Sequence, residues 1–226
     1  MSDLPIPPSE FLGFKIDEAW DYENAFYLTS GVERIGKLLA HADLYRMITS
    51  LPGQIVECGV FKGASLIRWA TFRTLFEADH SRQILGFDAF GKFPRSGDST
   101  DQDFIEWFES EAGAGISEQE LRKCLANKGF SNIDLYPGDI LETVKEYVTA
   151  HPAFRIALLH LDLDVYKPTI EALRHLWPCI VPGGLLVIDD YGVVGGATRA
   201  VEEFLLADGI TFQKLPFTHI PAYVVR

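Results

Sequence analysis

The chain has 226 residues, of which 47% are hydrophobic, and its 20 Lys and Arg against 32 Asp and Glu give a net charge of −12. This length suits one domain with a sizeable core, and the composition excludes an intrinsically disordered chain. The acidic balance disfavours nucleic acid or an anionic membrane as partner, because both usually require a basic surface.

Cysteine usage and the first residues indicate a cellular location. Cys58, Cys124 and Cys179 form no CxxC pair, which is typical of free thiols in a reducing compartment. The opening MSDLPIPPSEFLGF lacks the basic and apolar regions of a signal peptide, and no apolar run reaches the roughly 18 residues of a membrane span. We therefore expect a soluble cytoplasmic protein.

The predicted elements begin with helices. Residues 1–53 include the amphipathic segment GVERIGKLLAHADLYRMI (31–48), and we expect this region to form a cover or lid. Strands and helices alternate from residue 54, and two short strands, TFQKLPF and AYVVR, follow them. The alternating strands are predicted at 54–60, 83–90, 133–139, 155–164 and 184–190, and the helices at 64–78, 117–129, 140–150, 168–177 and 197–207.

This order predicts a doubly wound α/β fold with a mostly parallel sheet and an antiparallel pair at its edge. Residues 91–116 interrupt the alternation and are interpreted as an inserted lid. Ser117 and Glu120 form a predicted capping box for the helix that follows. We expect a single domain over residues 1–226, with 54–226 as its core.

Acidic residues lie at the carboxyl ends of five predicted strands, where ligands bind in doubly wound folds. Unpaired carboxylates repel one another and resist burial, so this concentration indicates a functional site. The strand ends concerned are Glu57-Cys58-Gly59, Asp88, Gly138-Asp139, Asp162 and Asp189-Asp190.

The loop ECGVFKGAS resembles a nucleotide-binding loop, with Gly59 and Gly63 permitting close backbone approach and Ser65 beginning a helix. Glu57 would repel a pyrophosphate but could accept hydrogen bonds from an ammonium group. Asp88 ends the next strand, where an acid accepts hydrogen bonds from a ribose. A ligand with a ribose and a cationic amino-acid part, such as S-adenosylmethionine, fits both; the alternative is a tight turn with two solvated carboxylates.

Asp162, Asp189 and Asp190 follow strands that should be neighbours in the sheet. Three carboxylates there make a hard oxygen site that suits Mg²⁺, and the alternative is a hydrogen-bonded cluster that caps helices. Asp164 is expected to cap the helix that opens near Pro168.

Five motifs follow one another along the chain: IVECGVFKGASL, GFDAFGKFP, LLHLDLDVYKPT, PGGLLVIDDYG and TRAVEEF. Together they resemble the TylF/macrocin O-methyltransferase family of S-adenosylmethionine- and Mg²⁺-dependent sugar O-methyltransferases. Within it, the chain is most similar to proteins labelled dTDP-6-deoxy-L-hexose 3-O-methyltransferases. The resemblance implies a Rossmann-like class I methyltransferase fold with seven strands, the last antiparallel.

The resemblance also implies residue roles. Glu57, Gly59 and Ser65 would hold the methionine end of the cofactor, within a cofactor-binding loop that includes Val60, Phe61 and Gly63. Asp88 would hold the ribose and Gly138-Asp139 would flank the adenine. The metal ligands would be Asp162, Asp189 and Asp190.

Asp162 is also the implied general base. The lysine base of catechol-type relatives is missing, because Val165 stands at its position, and His160 is the second candidate base. A cation at the aspartates would lower the pKa of a sugar hydroxyl, and Asp162 would take its proton.

The expected acceptor is the hydroxyl of a nucleotide deoxysugar or of a glycosylated natural product. A lid with Phe93, Phe104, Trp107 and Phe108 could cover it, and Lys62, Lys92 and Arg95 could meet a diphosphate, but simple packing of the rings and ordinary surface charge are the favoured explanations. A homo-oligomer, dimer or larger, is expected from the N-terminal region. Alternatives are a catechol-like acceptor, a metal-dependent glycosyltransferase or phosphatase, which share a DxD pattern, and a non-catalytic scaffold.

Overall fold

The computed structural model describes residues 9–94, 99–206 and 209–226. The N-terminal region holds a short antiparallel hairpin, β1 (Glu10–Phe11) and β2 (Phe14–Lys15), then helices α1 (Ala19–Thr29) and α2 (Val32–Ile48). No residue of α1 is buried, whereas α2 buries one stripe of side chains in the core, among them His41, Leu44, Tyr45 and Ile48.

The remaining elements follow the predicted order, with one helix that was not predicted, α4 (Ser99–Ala112), inside the inserted segment, and most strands end earlier than predicted. They are β3 (Gln54–Cys58), α3 (Ala64–Phe76), β4 (Ile84–Asp88), α4 (Ser99–Ala112), α5 (Glu118–Asn127), β5 (Ile133–Pro137), α6 (Ile140–Ala150), β6 (Ile156–Leu161), α7 (Tyr166–Leu176), β7 (Ile180–Ile188), α8 (Gly195–Leu205), β8 (Gln213–Lys214) and β9 (Ala222–Val225). The aspartates after β6 and β7 therefore lie in loops, just beyond the last strand residue.

The sheet has seven strands in the order β5-β4-β3-β6-β7-β9-β8. β3 to β7 are parallel, and β9 pairs antiparallel with both β7 and β8. This topology confirms the predicted α/β class with an antiparallel last strand, and β9 enters between β7 and the two-residue edge strand β8.

Buried side chains form two clusters, one on each face of the sheet. Val56, Leu159 and Leu186 belong to the cluster under α6, α7 and α8, whereas Ile55, Leu158 and Leu185 belong to the cluster under α2, α3 and α5. Since side chains alternate along a strand, a residue's position in the strand decides which helices cover it. Both faces are covered, as the apolar strands predict.

Local signals at the helix ends are mostly confirmed. Ser117 Oγ accepts a hydrogen bond from Glu120 N (3.3 Å) and Glu120 Oε2 accepts one from Ser117 N (3.2 Å), which completes the predicted capping box. Helix α7 begins at Tyr166, so Pro168 lies within its first turn rather than at its start. Among the described residues, no helix has both the length and the hydropathy of a membrane span.

Candidate functional site

A cavity of about 480 Å³ lies at the carboxyl ends of β3 to β7. Its walls come from the loops after these strands, from the N-terminal half of α2 and from the inserted segment between β4 and α5. The candidate residues that line it are Gly59, Phe61, Asp88, Gly138, Asp139, Asp162, Asp189 and Asp190. Parallel strands bring these residues to one edge of the sheet although they span 132 positions of sequence, 190 − 59 + 1.

The loop after β3 is held by a buried carboxylate and by glycine. Glu57 is fully buried and accepts a hydrogen bond from the Ser65 hydroxyl in the first turn of α3. Gly59 has φ +88°, and a Cβ there would lie 1.8 Å from the carbonyl oxygen of Asp162. Gly59 is therefore required by the close approach of two loops, a constraint that exists before any ligand binds.

Asp88 shapes the same loop. Its Oδ2 accepts hydrogen bonds from Val60 N (2.6 Å) and Phe61 N (3.0 Å), and its Oδ1 accepts one from Phe90 N (2.6 Å). A carboxylate has about four acceptor positions, so Asp88 retains capacity for a ligand donor. Its assignment to a ribose stays a prediction.

Gly138 and Asp139 form the wall next to Asp88. Gly138 N donates to the Asp88 carbonyl oxygen (2.9 Å), and the Asp139 side chain caps α6 by accepting from Leu141 N (3.0 Å). Asp139 thus has a structural role in addition to its predicted position beside an adenine.

The residues Asp162, Asp164 and Asp190 form a compact acidic cluster, in which one carboxylate oxygen from each lies within 4.8 Å of the others. Burial, and then the neighbouring carboxylates, raise the pKa values of Asp162 and Asp190 well above their usual range. The same two causes raise the pKa of Asp164 to about 7. Three hard oxygen donors whose negative charges oppose one another fit a divalent cation of the Mg²⁺ type.

Asp164 does not cap α7, so that prediction is wrong. The N-cap of α7 is Val165, which makes no side-chain cap hydrogen bond. Asp164 instead adopts φ +62°, and its backbone N–H donates to Asp190 Oδ2 (3.1 Å), which directs Asp164 toward the cavity that it lines.

Asp189 contacts two side chains outside this cluster. Its Oδ2 forms an ion pair with Lys37 Nζ, from α2, and its Oδ1 lies 3.7 Å from His160 Nε2. Burial alone would raise the pKa of Asp189, but His160 and Lys37 lower it below its usual range. The three predicted metal ligands, Asp162, Asp189 and Asp190, therefore line the same cavity, but the carboxylate of Asp189 is directed toward Lys37 and His160.

His160 is fully buried on β6, directly beside Glu57 on β3 in the strand register. Its Nδ1 lies 3.8 Å from Glu57 Oε1, so the ring stands between two carboxylates. Burial would lower the pKa of His160, but Asp189 and Glu57 raise it to about 10. His160 is fully buried and is not among the residues that line the cavity, so it has no contact with a substrate bound there, which argues against His160 as the base.

The inserted segment contributes helix α4 and closes one side of the cavity. The two ends of this segment meet where Gly115 N donates to Gly91 O (2.8 Å). Ile116 N donates to Phe61 O (2.8 Å), which attaches the end of the segment to the loop after β3. The Phe108 ring packs against the rings of Phe61, Phe93 and Phe104 at centroid distances of 5.3, 5.8 and 5.9 Å. Phe93 and Phe108 also line the cavity, so these two rings both pack against each other and face the space where a ligand would bind.

The three residues proposed for a diphosphate differ in position. Lys92 lines the cavity, whereas Lys62 donates to the Ala112 carbonyl oxygen (2.7 Å) at the end of α4. Arg95 lies outside the described residues. Trp107 is 58% exposed on the outer side of α4.

Sequence reasoning missed Asp101 and Lys37. Asp101, on α4, is buried and accepts hydrogen bonds from Tyr166 N (3.0 Å) and Lys167 N (3.4 Å), the role expected of Asp164. The sequence contained a signal for Lys37, because it lies four residues before His41 on the stripe of α2 that faces the core. For Asp101 we find no comparable signal.

A family profile described as Macrocin-O-methyltransferase (TylF) matches residues 15–224. The chain belongs to the TylF macrocin O-methyltransferase family. This is a family of enzymes, and the predicted resemblance and the class I methyltransferase fold are confirmed.

One relative is the 8-demethyl-8-(2,3-dimethoxy-alpha-L-rhamnosyl)-tetracenomycin-C 4'-O-methyltransferase of Streptomyces olivaceus, to which the chain is 26% identical over 180 residues. The alignment covers 76% of this chain and 66% of that protein, which is just under two thirds of its length. The chain is 26% identical over 196 residues to the mycinamicin III 3''-O-methyltransferase of Micromonospora griseorubida, covering 84% and 75%. A solved structure of CalS11, described as a TDP-rhamnose 3'-O-methyltransferase, superposes with a TM-score of 0.66 at 27% identity and covers 92% of this chain and 86% of that one.

The substitution Asp101→Ala should loosen the inserted segment. It leaves two N–H groups at the start of α7 without their carboxylate, which we expect to lower the free energy of unfolding by about 1 kcal/mol. Urea denaturation measures this change, and limited proteolysis should show faster cleavage within 91–116. Asp103→Ala, at an exposed position of the same helix, is the matched control. Equal stability of the two variants would contradict the capping role.

Proposed function

We propose that this protein is an S-adenosylmethionine- and Mg²⁺-dependent O-methyltransferase that acts on a sugar hydroxyl, carried by a nucleotide or by a glycosylated natural product. The observation that carries the proposal is one cavity that joins the Asp88 loop to the acidic cluster of Asp162, Asp164 and Asp190. Membership in the TylF family, whose named relatives are O-methyltransferases, supports the reaction type.

The loop after β3 is assigned to the cofactor. Glu57 and Ser65 would fix its methionine end, and the loop Gly59, Val60, Phe61 and Gly63 would pass beneath it. Asp88 holds this loop by three backbone hydrogen bonds and would use its remaining acceptor positions for the ribose. Gly138 and Asp139 lie on the wall next to Asp88 and would flank the adenine. A cofactor held there would share one cavity with the acidic cluster.

The acceptor is assigned to the other end of the cavity. Mg²⁺ would supply a positive charge that lowers the pKa of a bound hydroxyl, and Asp162, Asp189 and Asp190 are the residues proposed to hold it. Asp164, which the sequence did not suggest, is close enough to join them. These carboxylates would fix the acceptor oxygen in line with the methyl group, which accounts for much of the rate gain in such transfers.

Asp162 is the proposed base, and Asp164 is a second candidate that one observation favours. The pKa of Asp164 is raised to about 7, and the residue lines the cavity. A base with a pKa near the working pH accepts protons most effectively while remaining largely available. Asp162 has the advantage of the central position, directly after β6, between the Gly59 loop and Asp190.

The inserted segment and the N-terminal helices are proposed as parts of one domain that close the acceptor end. Segment 91–116 places Phe93, Ile105 and Phe108 along the cavity, and α2 contributes Arg34 and Lys37. Aromatic rings and cations together suit a sugar that carries a phosphate or an aglycone. We propose residues 91–116 as a lid and residues 1–53 as a cover.

We further propose a cytoplasmic homo-oligomer, a dimer or larger, that binds no nucleic acid or membrane. The free thiols of Cys58, Cys124 and Cys179 support a reducing location. Helix α1 exposes Trp20, Tyr27 and Leu28 by 73, 56 and 84%, which is typical of a contact surface.

Sedimentation equilibrium should therefore show a dimer or larger, and Trp20→Ser combined with Leu28→Ser should shift the protein toward monomer. A monomeric wild type would refute the assembly.

The function is tested first by binding and then by turnover. We expect S-adenosylhomocysteine to bind at micromolar concentrations in calorimetry, and the protein to methylate a nucleotide deoxysugar such as TDP-rhamnose or a rhamnosylated product when Mg²⁺ is present. Excess EDTA should abolish methyl transfer and leave cofactor binding intact. The absence of binding with and without Mg²⁺ would overturn the proposal, and full activity in EDTA would remove the metal from it.

Two substitutions separate the candidate bases. Asp162→Asn should lower kcat by at least about a hundredfold, the usual range for loss of a general base, with little change in S-adenosylhomocysteine affinity. Asp164→Asn, the same chemical change two residues away within the same cluster, is the comparison and should lower kcat less than Asp162→Asn does if Asp162 is the base. If Asp164→Asn abolishes turnover yet still binds Mn²⁺, the base is Asp164 and not Asp162.

A further inference from the structure

The inner stripe of α2 carries two polar residues where an amphipathic helix normally has apolar ones. His41, Leu44 and Ile48 are buried at helical spacing, and Lys37 lies one turn before His41 on the same stripe. His41 stacks on Trp69 at a centroid distance of 4.5 Å and lies 5.3 Å from the ring of His160. Lys37 therefore extends from a helix of the N-terminal region directly to the ends of β6 and β7.

Lys37 contacts Asp189 through an ion pair that is mostly shielded from water. The two side chains are 25% and 8% exposed, and they are separated by 152 residues in sequence. The other oxygen of Asp189, Oδ1, faces His160. Oδ2 of Asp189 thus pairs with a cation that belongs to the chain itself, and Oδ1 faces a buried imidazole.

The position of Lys37 also affects the acidic cluster. Its positive charge acts on Asp162 as well as on Asp189, and Lys37 lines the same cavity as Asp162, Asp164 and Asp190. An ammonium group and a divalent cation beside the same carboxylates repel each other. A cation that recruits Asp189 must share this carboxylate with Lys37 or displace the ammonium group.

We propose that Lys37 is a positioning residue that neutralises Asp189 and weakens the binding of a divalent cation at the acidic cluster. The inference rests on the proposed function, because it concerns the same metal site. It explains why a lysine occupies the inner stripe of α2: the ammonium group pairs with the buried carboxylate of Asp189. It also makes the N-terminal helix part of the metal site.

The alternative is that the ion pair only ties α2 to the sheet. A structural tie predicts that loss of Lys37 lowers thermal stability and leaves metal affinity unchanged. The proposed role predicts a change in metal affinity itself, which can be measured without substrate, cofactor or turnover.

The experiment is a titration of the full chain with Mn²⁺, followed by the electron paramagnetic resonance signal of free Mn²⁺, with Mg²⁺ as competitor. Lys37→Met should bind Mn²⁺ about tenfold more tightly, because the substitution removes a positive charge beside the carboxylates that attract the cation. Lys37→Arg keeps the charge and should bind as the wild type does. Lys92→Met removes another lysine that lines the cavity and should change the affinity far less.

Unchanged or weaker Mn²⁺ binding by Lys37→Met overturns the inference. If that variant does not fold, Lys37→Gln, which keeps a polar donor of similar length, must show the same tightening. Wild-type protein that binds neither Mn²⁺ nor Mg²⁺ refutes the metal part of the proposed function and this inference with it. Metal binding by the wild type with equal affinity in Lys37→Met refutes only the role of Lys37.

Discussion

Negative charge concentrated at the carboxyl ends of adjacent parallel strands is the constraint on which the site depends. Asp162, Asp164, Asp189 and Asp190 follow two neighbouring strands, and mutual repulsion with burial raises the pKa values of all but Asp189. Such an arrangement is costly unless cations compensate it. The chain supplies Lys37 and His160 on one side, and the remaining cluster has the donor chemistry of a divalent-cation site.

The compensation connects the two halves of the cavity. Ser65 donates to Glu57, His160 stands between Glu57 and Asp189, and Asp189 pairs with Lys37. Strand register explains this row, since Glu57 and His160 are directly paired and, with Asp189, share the face covered by α2 and α3. The loop proposed for the cofactor and the carboxylates proposed for the metal thus rest on one buried set of charges.

The loops around the cavity depend on equally local constraints. Gly59 permits contact between the loops after β3 and β6, and Asp88 fixes the backbone of Val60 and Phe61. Asp101 fastens α4 to the start of α7, so the inserted segment is held at the cavity by a carboxylate rather than by its aromatic rings alone. Gly59 and Asp88, which the sequence assigns to ligand binding, therefore also stabilise the backbone of the loops around the cavity.

The sequence by itself determined the α/β class, the order of the parallel strands and of the helices that follow them outside the inserted segment, the family, and the edge of the sheet where acidic residues gather. Apolar periodicity and strand-end position are local signals, and parallel pairing makes them sufficient for those conclusions. Only the tertiary structure decided which way each side chain points. It placed Asp164 in the acidic cluster, directed Asp189 to Lys37 and buried His160. These contacts join residues up to 152 positions apart. They depend on helix packing and strand register, and no local sequence pattern encodes either.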